Sequence, residues 1–287
     1  MKIPYHAELC ENLRTGKINK GADNSAGFAF NLDFSVPYIV TAIHAGHGVR
    51  AEILPLMRIS EEERLFEEDP ATDILIQGNH NAIWGLDSRS EYDLNRPPEL
   101  ALPLTPDKFW GKQVYHSAPS ADMNRRSLKK YDNFYLFIGS CLKIILERFG
   151  ACLVYDIHSY NISRQIHKGF TSPPTFNIGT VLLNRLKWQT SIDDWRMRLE
   201  KIQIPAVATA VAENKVFAGK GELCRRITAW DPNILVLPTE ISKVYINEHT
   251  GQIKNMAVNR LQRGLQQAIS EHSRRFLDHF IKEKLQG

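Results

Sequence analysis

The stretch Tyr38-Ile39-Val40-Thr41-Ala42-Ile43-His44-Ala45-Gly46-His47 decides the fold, because an apolar, β-branched run breaks off directly into imidazoles. A second run, Ala151-Cys152-Leu153-Val154-Tyr155-Asp156, ends in the same way in Ile157-His158-Ser159. Short continuous apolar runs of this kind predict strands buried on both faces, as in a parallel sheet covered by helices. In such sheets the carboxyl ends of the strands form the edge where catalytic groups collect. Two strand-end histidines more than a hundred residues apart, with carboxylates and arginines between them, point to metal-assisted hydrolysis.

Working outward, Ile234-Leu235-Val236-Leu237 and the segment from Ala206 to Val211, entered through Pro205, predict further buried strands, and Ala82-Ile83-Trp84-Gly85-Leu86 predicts another. Helical spacing governs Lys129 to Phe149, with apolar residues at Tyr131, Phe134, Leu136, Phe137, Cys141, Ile144, Ile145 and Phe149 and with Gly150 as the stop. Ser191 to Ile202 reads as a helix capped by Ser191, with Asp193 and Asp194 in its first turn. The segment from about Ile253 to Lys284 reads as a long amphipathic helix whose Lys- and Arg-rich side is a solvated face. The expected fold class is α/β: a three-layer αβα arrangement with a mainly parallel mixed sheet flanked by helices.

A chain of 287 residues that is 43% hydrophobic can bury a full core. With no linker, repeat or low-complexity stretch, it is expected to form a single domain over residues 1–287. The formal charge of +4 is small and its basic residues are interspersed with acidic ones, so nucleic acid is not an expected partner. Met1-Lys2-Ile3-Pro4-Tyr5-His6 lacks the apolar core of a signal peptide, and no run approaches the ~20 apolar residues of a membrane span. A cytoplasmic protein without membrane contact is expected. Cys10, Cys141, Cys152 and Cys224 are scattered, without a Cys-x-x-Cys pair, which suggests neither a zinc knot nor a disulfide framework.

A hydrolytic zinc site needs three protein ligands and an open position for water. His44 and His158 supply two, and Glu67-Glu68-Asp69-Pro70 offers carboxylates for the third. Pro70 suits a first helical position, which makes Asp69 the cap residue and directs its carboxylate toward the strand edge. Capping alone would also explain an Asp before a Pro, and Glu68 and Asp73 stay open as ligands. His47 reads as a supporting or substrate-facing group. Asp156, two residues before His158, falls near the site or merely follows strand alternation. Glu240 stands just past the strand that begins at Ile234.

At this point the chain resembles the N-formylglutamate amidohydrolase family, whose fold and site are related to the zinc carboxypeptidases. The pieces that carry the resemblance are His44-Ala45-Gly46, Ser88-Arg89 with Asp93-Leu94-Asn95-Arg96-Pro97, Asp156-Ile157-His158-Ser159, Phe176-Asn177-Ile178-Gly179-Thr180 and Glu240-Ile241, in the family's order over about residues 38 to 243. The resemblance implies a phosphorylase/hydrolase-like fold and one zinc held by His44, an acidic residue for which Asp69 is the preferred match, and His158. The His-x-x-Glu of zinc carboxypeptidases is absent, since position 47 is His. By the same resemblance Glu240 is the catalytic general base, Arg89 faces the scissile carbonyl or oxyanion, and Asn95 with Arg96 binds a substrate carboxylate. The alternative for Arg96 is a loop-stabilising ion pair. The implied reaction is hydrolysis of a small N-acyl amino acid bearing a carboxylate, foremost N-formyl-L-glutamate. Alternatives are carboxypeptidase-like or deacylase activity on another N-acyl amino acid or peptide, and a non-catalytic binding protein. The loop Asn214 to Gly221 matches the family's Gly-rich substrate loop only loosely, carrying extra charges.

Overall fold

A computed structural model describes residues 5–23 and 26–286; residues 1–4, on which part of the N-terminal reading rests, lie outside the described residues. In chain order the elements are α1 (Ala7–Arg14), β1 (Lys20–Asp23), β2 (Phe28–Asn31), β3 (Tyr38–Ala42), α2 (Glu61–Glu67), α3 (Thr72–Ile76), β4 (Ala82–Gly85), α4 (Ala121–Phe149) and β5 (Cys152–Tyr160). They continue with α5 (Ile162–His167), β6 (Phe176–Ile178), α6 (Arg185–Glu200), β7 (Val211–Glu213), α7 (Glu222–Trp230), β8 (Ile234–Ser242) and α8 (Asn255–Gln286).

The strands form one mixed sheet in the order β1-β2-β4-β3-β5-β8-β6-β7. Its centre is parallel, β4 to β3 to β5 to β8, and the antiparallel pairs join β1, β2 and β6 to it. Helices cover both faces, giving the expected three layers. On one side α4 packs against β5 and α1, and its Phe134 and Phe137 meet Phe28 of β2. On the other, α3, α6 and α8 pack together, and Trp195 and His272 close on Tyr155 of β5. β5 is buried along its whole length, which is why its sequence shows continuous apolarity and little alternation.

Five expected boundaries move. β5 runs on to Tyr160 and β8 to Ser242, which puts His158 and Glu240 within strands and not past their ends. Helix α4 begins at Ala121, capped by Ser120, because its first turns are exposed and polar and carry no apolar stripe. Helix α6 begins after Asn184, whose side chain caps Lys187 N; Ser191 is buried in its interior, and the packing stripe Trp188, Ile192, Trp195, Leu199 already starts before it. Ala206 to Val211 is not a buried strand. Ala206 takes a left-handed φ of 59°, the residues after it are exposed or half-buried, and pairing starts only at Val211, parallel to β6. All four cysteines are free and buried. Among the described residues no helix is long and apolar enough to cross a membrane.

Candidate active site

Three neighbouring strands bring the site together. His44 follows β3 by two residues, His158 lies on β5, and Glu240 on β8 stands directly beside it in register. The turn after His44 needs a glycine, since a Cβ on Gly46 would meet the Leu86 carbonyl carbon at 2.3 Å. Asp69 completes the cluster: its N–H donates to the His44 carbonyl at 3.0 Å, and its Oδ2 lies 3.1 Å from His158 Nδ1 and 3.5 Å from His44 Nδ1. One donor atom each from His44, Asp69 and His158 fall within 4.8 Å of one another, and all three residues are buried.

Behind both imidazoles stands a carboxylate. His44 Nε2 donates to Asp93 at 2.8 Å and His158 Nε2 to Asp156 at 3.0 Å. Asp156 is itself oriented by the hydroxyl of Thr41, its register partner on β3, at 2.8 Å. An Nε2–H engaged in this way leaves the Nδ1 lone pair free to coordinate a cation. His44 Nδ1 is indeed a buried nitrogen with no hydrogen-bond partner. Two such nitrogens facing one carboxylate oxygen fit a divalent metal, and these three residues can hold it. Burial opposes charge on His158, but Asp156 and Asp69 outweigh it and raise its pKa well above the usual value. Burial likewise opposes charge on Asp69, and the hydrogen bond from His158 together with the nearness of His44 holds its carboxyl below the ordinary range.

Asp69 does not cap the helix as its place before Pro70 predicts. Ala71 is left-handed, with φ 64°, so the helix starts only at Thr72, and the Asp69 side chain turns to His158 and Ser159. Glu68 is occupied elsewhere by His47 Nδ1, at 2.5 Å, and by the Ser88 hydroxyl. The hydrogen bond to Glu68 raises the pKa of His47, a partly exposed group outside the cluster. Asp73 sits in the first turn of α3, away from the cleft lining.

The cluster opens into a cleft of about 490 Å³. Arg89 lines it with Nε and Nη2 on Asp93 Oδ2, at 3.1 and 2.6 Å, and its guanidinium lies over the Trp110 ring at 4.5 Å. Asp93 therefore serves His44 and Arg89 together; burial opposes its charge, and Arg89 and His44 hold its pKa well below the usual value. Arg96 also lines the cleft, 3.5 Å from Asp93 and 5.6 Å from Trp110. Asn95 accepts from Leu223 N through its side chain, at 3.2 Å, and places its amide nitrogen 3.4 Å from His158 Nε2. Glu240 is half-buried in the cleft. Desolvation pushes its carboxyl up to about 8, with His158 pulling down and Asp69 pushing up.

Asn177, from the Phe-Asn-Ile-Gly piece, binds no part of the cleft directly. Its side chain bonds Lys215 N, Val216 N and Phe217 O, pinning the loop whose residues 216–221 line the site. Trp110, Arg164 and Lys243 also line the cleft. No periodic or motif signal marks them in the sequence, since each comes from a separate loop, helix or strand end.

A family model described as N-formylglutamate amidohydrolase matches residues 36–247. Among solved structures, N-formylglutamate amidohydrolase from Ralstonia eutropha JMP134 aligns with a TM-score of 0.68 and 20% identity, covering 87% of this chain and 99% of that one. A gene product from Agrobacterium tumefaciens aligns with a TM-score of 0.57 and 17% identity, over 87% of this chain and 98% of its own. At such identities these likenesses concern the fold. No curated protein sequence matches the chain.

Proposed function

This chain belongs to the N-formylglutamate amidohydrolase family, and from that premise we propose that it is a single-domain, zinc-dependent hydrolase of the amide bond of small N-acyl amino acids, foremost N-formyl-L-glutamate, yielding formate and glutamate. The observation that carries the reading is the buried His44, Asp69 and His158 cluster with Glu240 beside it on the next strand. A zinc ion on those three residues supplies a Lewis acid and lowers the pKa of bound water from ~15.7 to about 7.

Glu240 takes a proton from the attacking water as its oxygen adds to the acyl carbon. When the carbon–nitrogen bond breaks, the same carboxyl delivers that proton to the leaving amine, a task suited to a group with a raised pKa. Arg89, held in one orientation by Asp93, the Glu67 carbonyl and Trp110, presents its two uncommitted N–H groups toward the acyl oxygen, where negative charge develops. Arg96 and the Asn95 amide bind a substrate carboxylate, for which a guanidinium is a planar fork of donors. Asp93 and Asp156 keep the two imidazoles in the tautomer that leaves Nδ1 unprotonated for the metal.

The test is metal content of the purified protein together with formate release from N-formyl-L-glutamate, compared between wild type and Glu240→Gln. Stoichiometric zinc, with release that falls roughly 10²–10⁴-fold in the variant, is the expected result. Zinc without formate release would redirect the substrate to other N-acyl amino acids or peptides. A protein that binds no metal would leave a binding role only.

A further inference from the structure

The carboxylates on the cleft walls are committed to partners of their own. Arg164 Nη2 donates to both oxygens of Glu67, at 2.6 and 2.8 Å, His47 and the Ser88 hydroxyl occupy Glu68, and His158 and the Thr41 hydroxyl occupy Asp156. Asp69 belongs to the metal cluster, and the Asn95 side-chain oxygen accepts from Leu223 N. Arg89, Arg96, Arg164, Lys220 and Lys243, which also line the cleft, can only donate. An amide substrate brings a further donor, the N–H of the bond to be cut, and that group needs an acceptor.

Asn161 carries one. It is the first residue after β5, it lines the cleft, and it is 5% exposed. It occupies the N-cap position of α5, where an Asn ordinarily caps through its own side-chain oxygen, yet no such bond forms. Glu248 Oε1 accepts from Ser163 N instead, at 3.0 Å. The Asn161 amide nitrogen donates to the Phe66 carbonyl at 2.7 Å, the same carbonyl that accepts from Lys243, and this bond fixes which end of the amide is nitrogen and which is oxygen. Its Oδ1 is a buried atom with no hydrogen-bond partner among the described residues. Among the described residues that line the cleft, His44 Nδ1 is the other such atom, and it faces the metal position. A buried acceptor is costly to leave unpaired, so an unused one on a cleft wall points to a donor that arrives with the ligand.

We propose that Asn161 Oδ1 is the acceptor for the N–H of the scissile amide and for the leaving amine which that N–H becomes. Cleavage turns a neutral donor into a charged ammonium, so the contact strengthens as the carbon–nitrogen bond breaks. The assignment rests on the amidohydrolase reading of the same cleft. Its test compares N-formyl-L-glutamate with its ester isostere, the O-formyl ester of L-2-hydroxyglutarate, in wild type and Asn161→Leu. The ester has an oxygen where the amide has its N–H. In the variant, kcat/KM for the amide should fall roughly 10–100-fold more than kcat/KM for the ester. Equal loss on both substrates, which is what a structural role through the Phe66 carbonyl would produce, overturns the proposal, as does an unchanged rate on the amide. Calorimetric affinities for L-glutamate and glutarate separate this from the hydrolase reading, since the two differ in the amine and neither contains a bond to cut. If wild type prefers L-glutamate and the preference is lost in Asn161→Leu, the contact stands even in a protein that hydrolyses neither substrate. If the preference is absent from wild type or persists in the variant, it falls.

Discussion

At the scale of single residues, Asp93 joins the two halves of the chemistry. Its one carboxylate accepts from His44 Nε2 and from Arg89, so the imidazole and the cation cannot be positioned independently. Asp93→Asn would keep the shape but leave the nearly buried Arg89 without its counterion and His44 without a fixed tautomer. The expected outcome is a loss of roughly 3 kcal/mol in urea unfolding and a metal affinity lower by about 10–100-fold in chelator competition; unchanged affinity would show that the carboxylate does not tune the imidazole. Asp93 was visible in the sequence as part of Asp-Leu-Asn-Arg-Pro, but nothing local connects it to a histidine 49 residues earlier. His44, His158 and Glu240 were legible because each follows an apolar run, which is a local feature, although β5 and β8 continue past the latter two. Asp69 was ambiguous because Asp-Pro is also a capping signal, and only the left-handed Ala71 removes that alternative.

At the scale of elements, the packing of α8 and α6 on β5 places a titratable group where it must stay neutral. His272 of α8 donates from Nε2 to the Ser191 carbonyl at 2.9 Å and accepts the Tyr155 hydroxyl on Nδ1 at 2.7 Å. Burial pushes its pKa down to about 4, against about 6.5 in an unfolded chain. Below about 6.5 the unfolded chain binds the proton first, so stability is fully present above that pH and is lost as pH falls toward 4. The contribution amounts to roughly 3 kcal/mol. In His272→Gln the decline of stability between pH 7 and 4.5 should be shallower by about that amount when unfolding is followed in urea, and parallel profiles would refute the assignment. Helix α8 itself was legible from its amphipathic period, and so was the end of α4 from Gly150, whose left-handed φ of 75° forms the cap. The starts of α4 and α6 were not, because exposed first turns carry no apolar stripe. The segment from Ala206 to Val211 misled for the converse reason: an apolar composition that the fold leaves exposed looks like a strand.

At the scale of the whole molecule, residues from the turn after β3, from β5 and from the segment before α3 meet in one buried cluster, so metal binding should be coupled to global stability and to protons. His158, whose pKa is raised well above 6.5 in the metal-free protein, must lose its proton to coordinate. Zinc binding at pH 7 should therefore release protons, seen by calorimetry in buffers of different ionisation enthalpy, and apparent affinity should weaken as pH falls. Stripping the metal with a chelator should lower Tm, since a ligand at 100 times its Kd adds about 2.7 kcal/mol to the folded state. A Tm indifferent to chelation and no proton release would place the metal elsewhere. The sequence by itself determined the αβα class, the strands at the sheet centre and the two histidines and glutamate at its carboxyl edge, because apolar continuity and strand ends depend on neighbours along the chain. Only the tertiary structure decided that Asp69 is the carboxylate between the imidazoles, that Asp93 and Asp156 stand behind them, and that Lys243 enters the cleft, bonded to the Phe66 carbonyl. These depend on pairs 89 residues apart for Asp69 and His158 and 177 apart for Phe66 and Lys243, distances over which no periodicity in the sequence carries information.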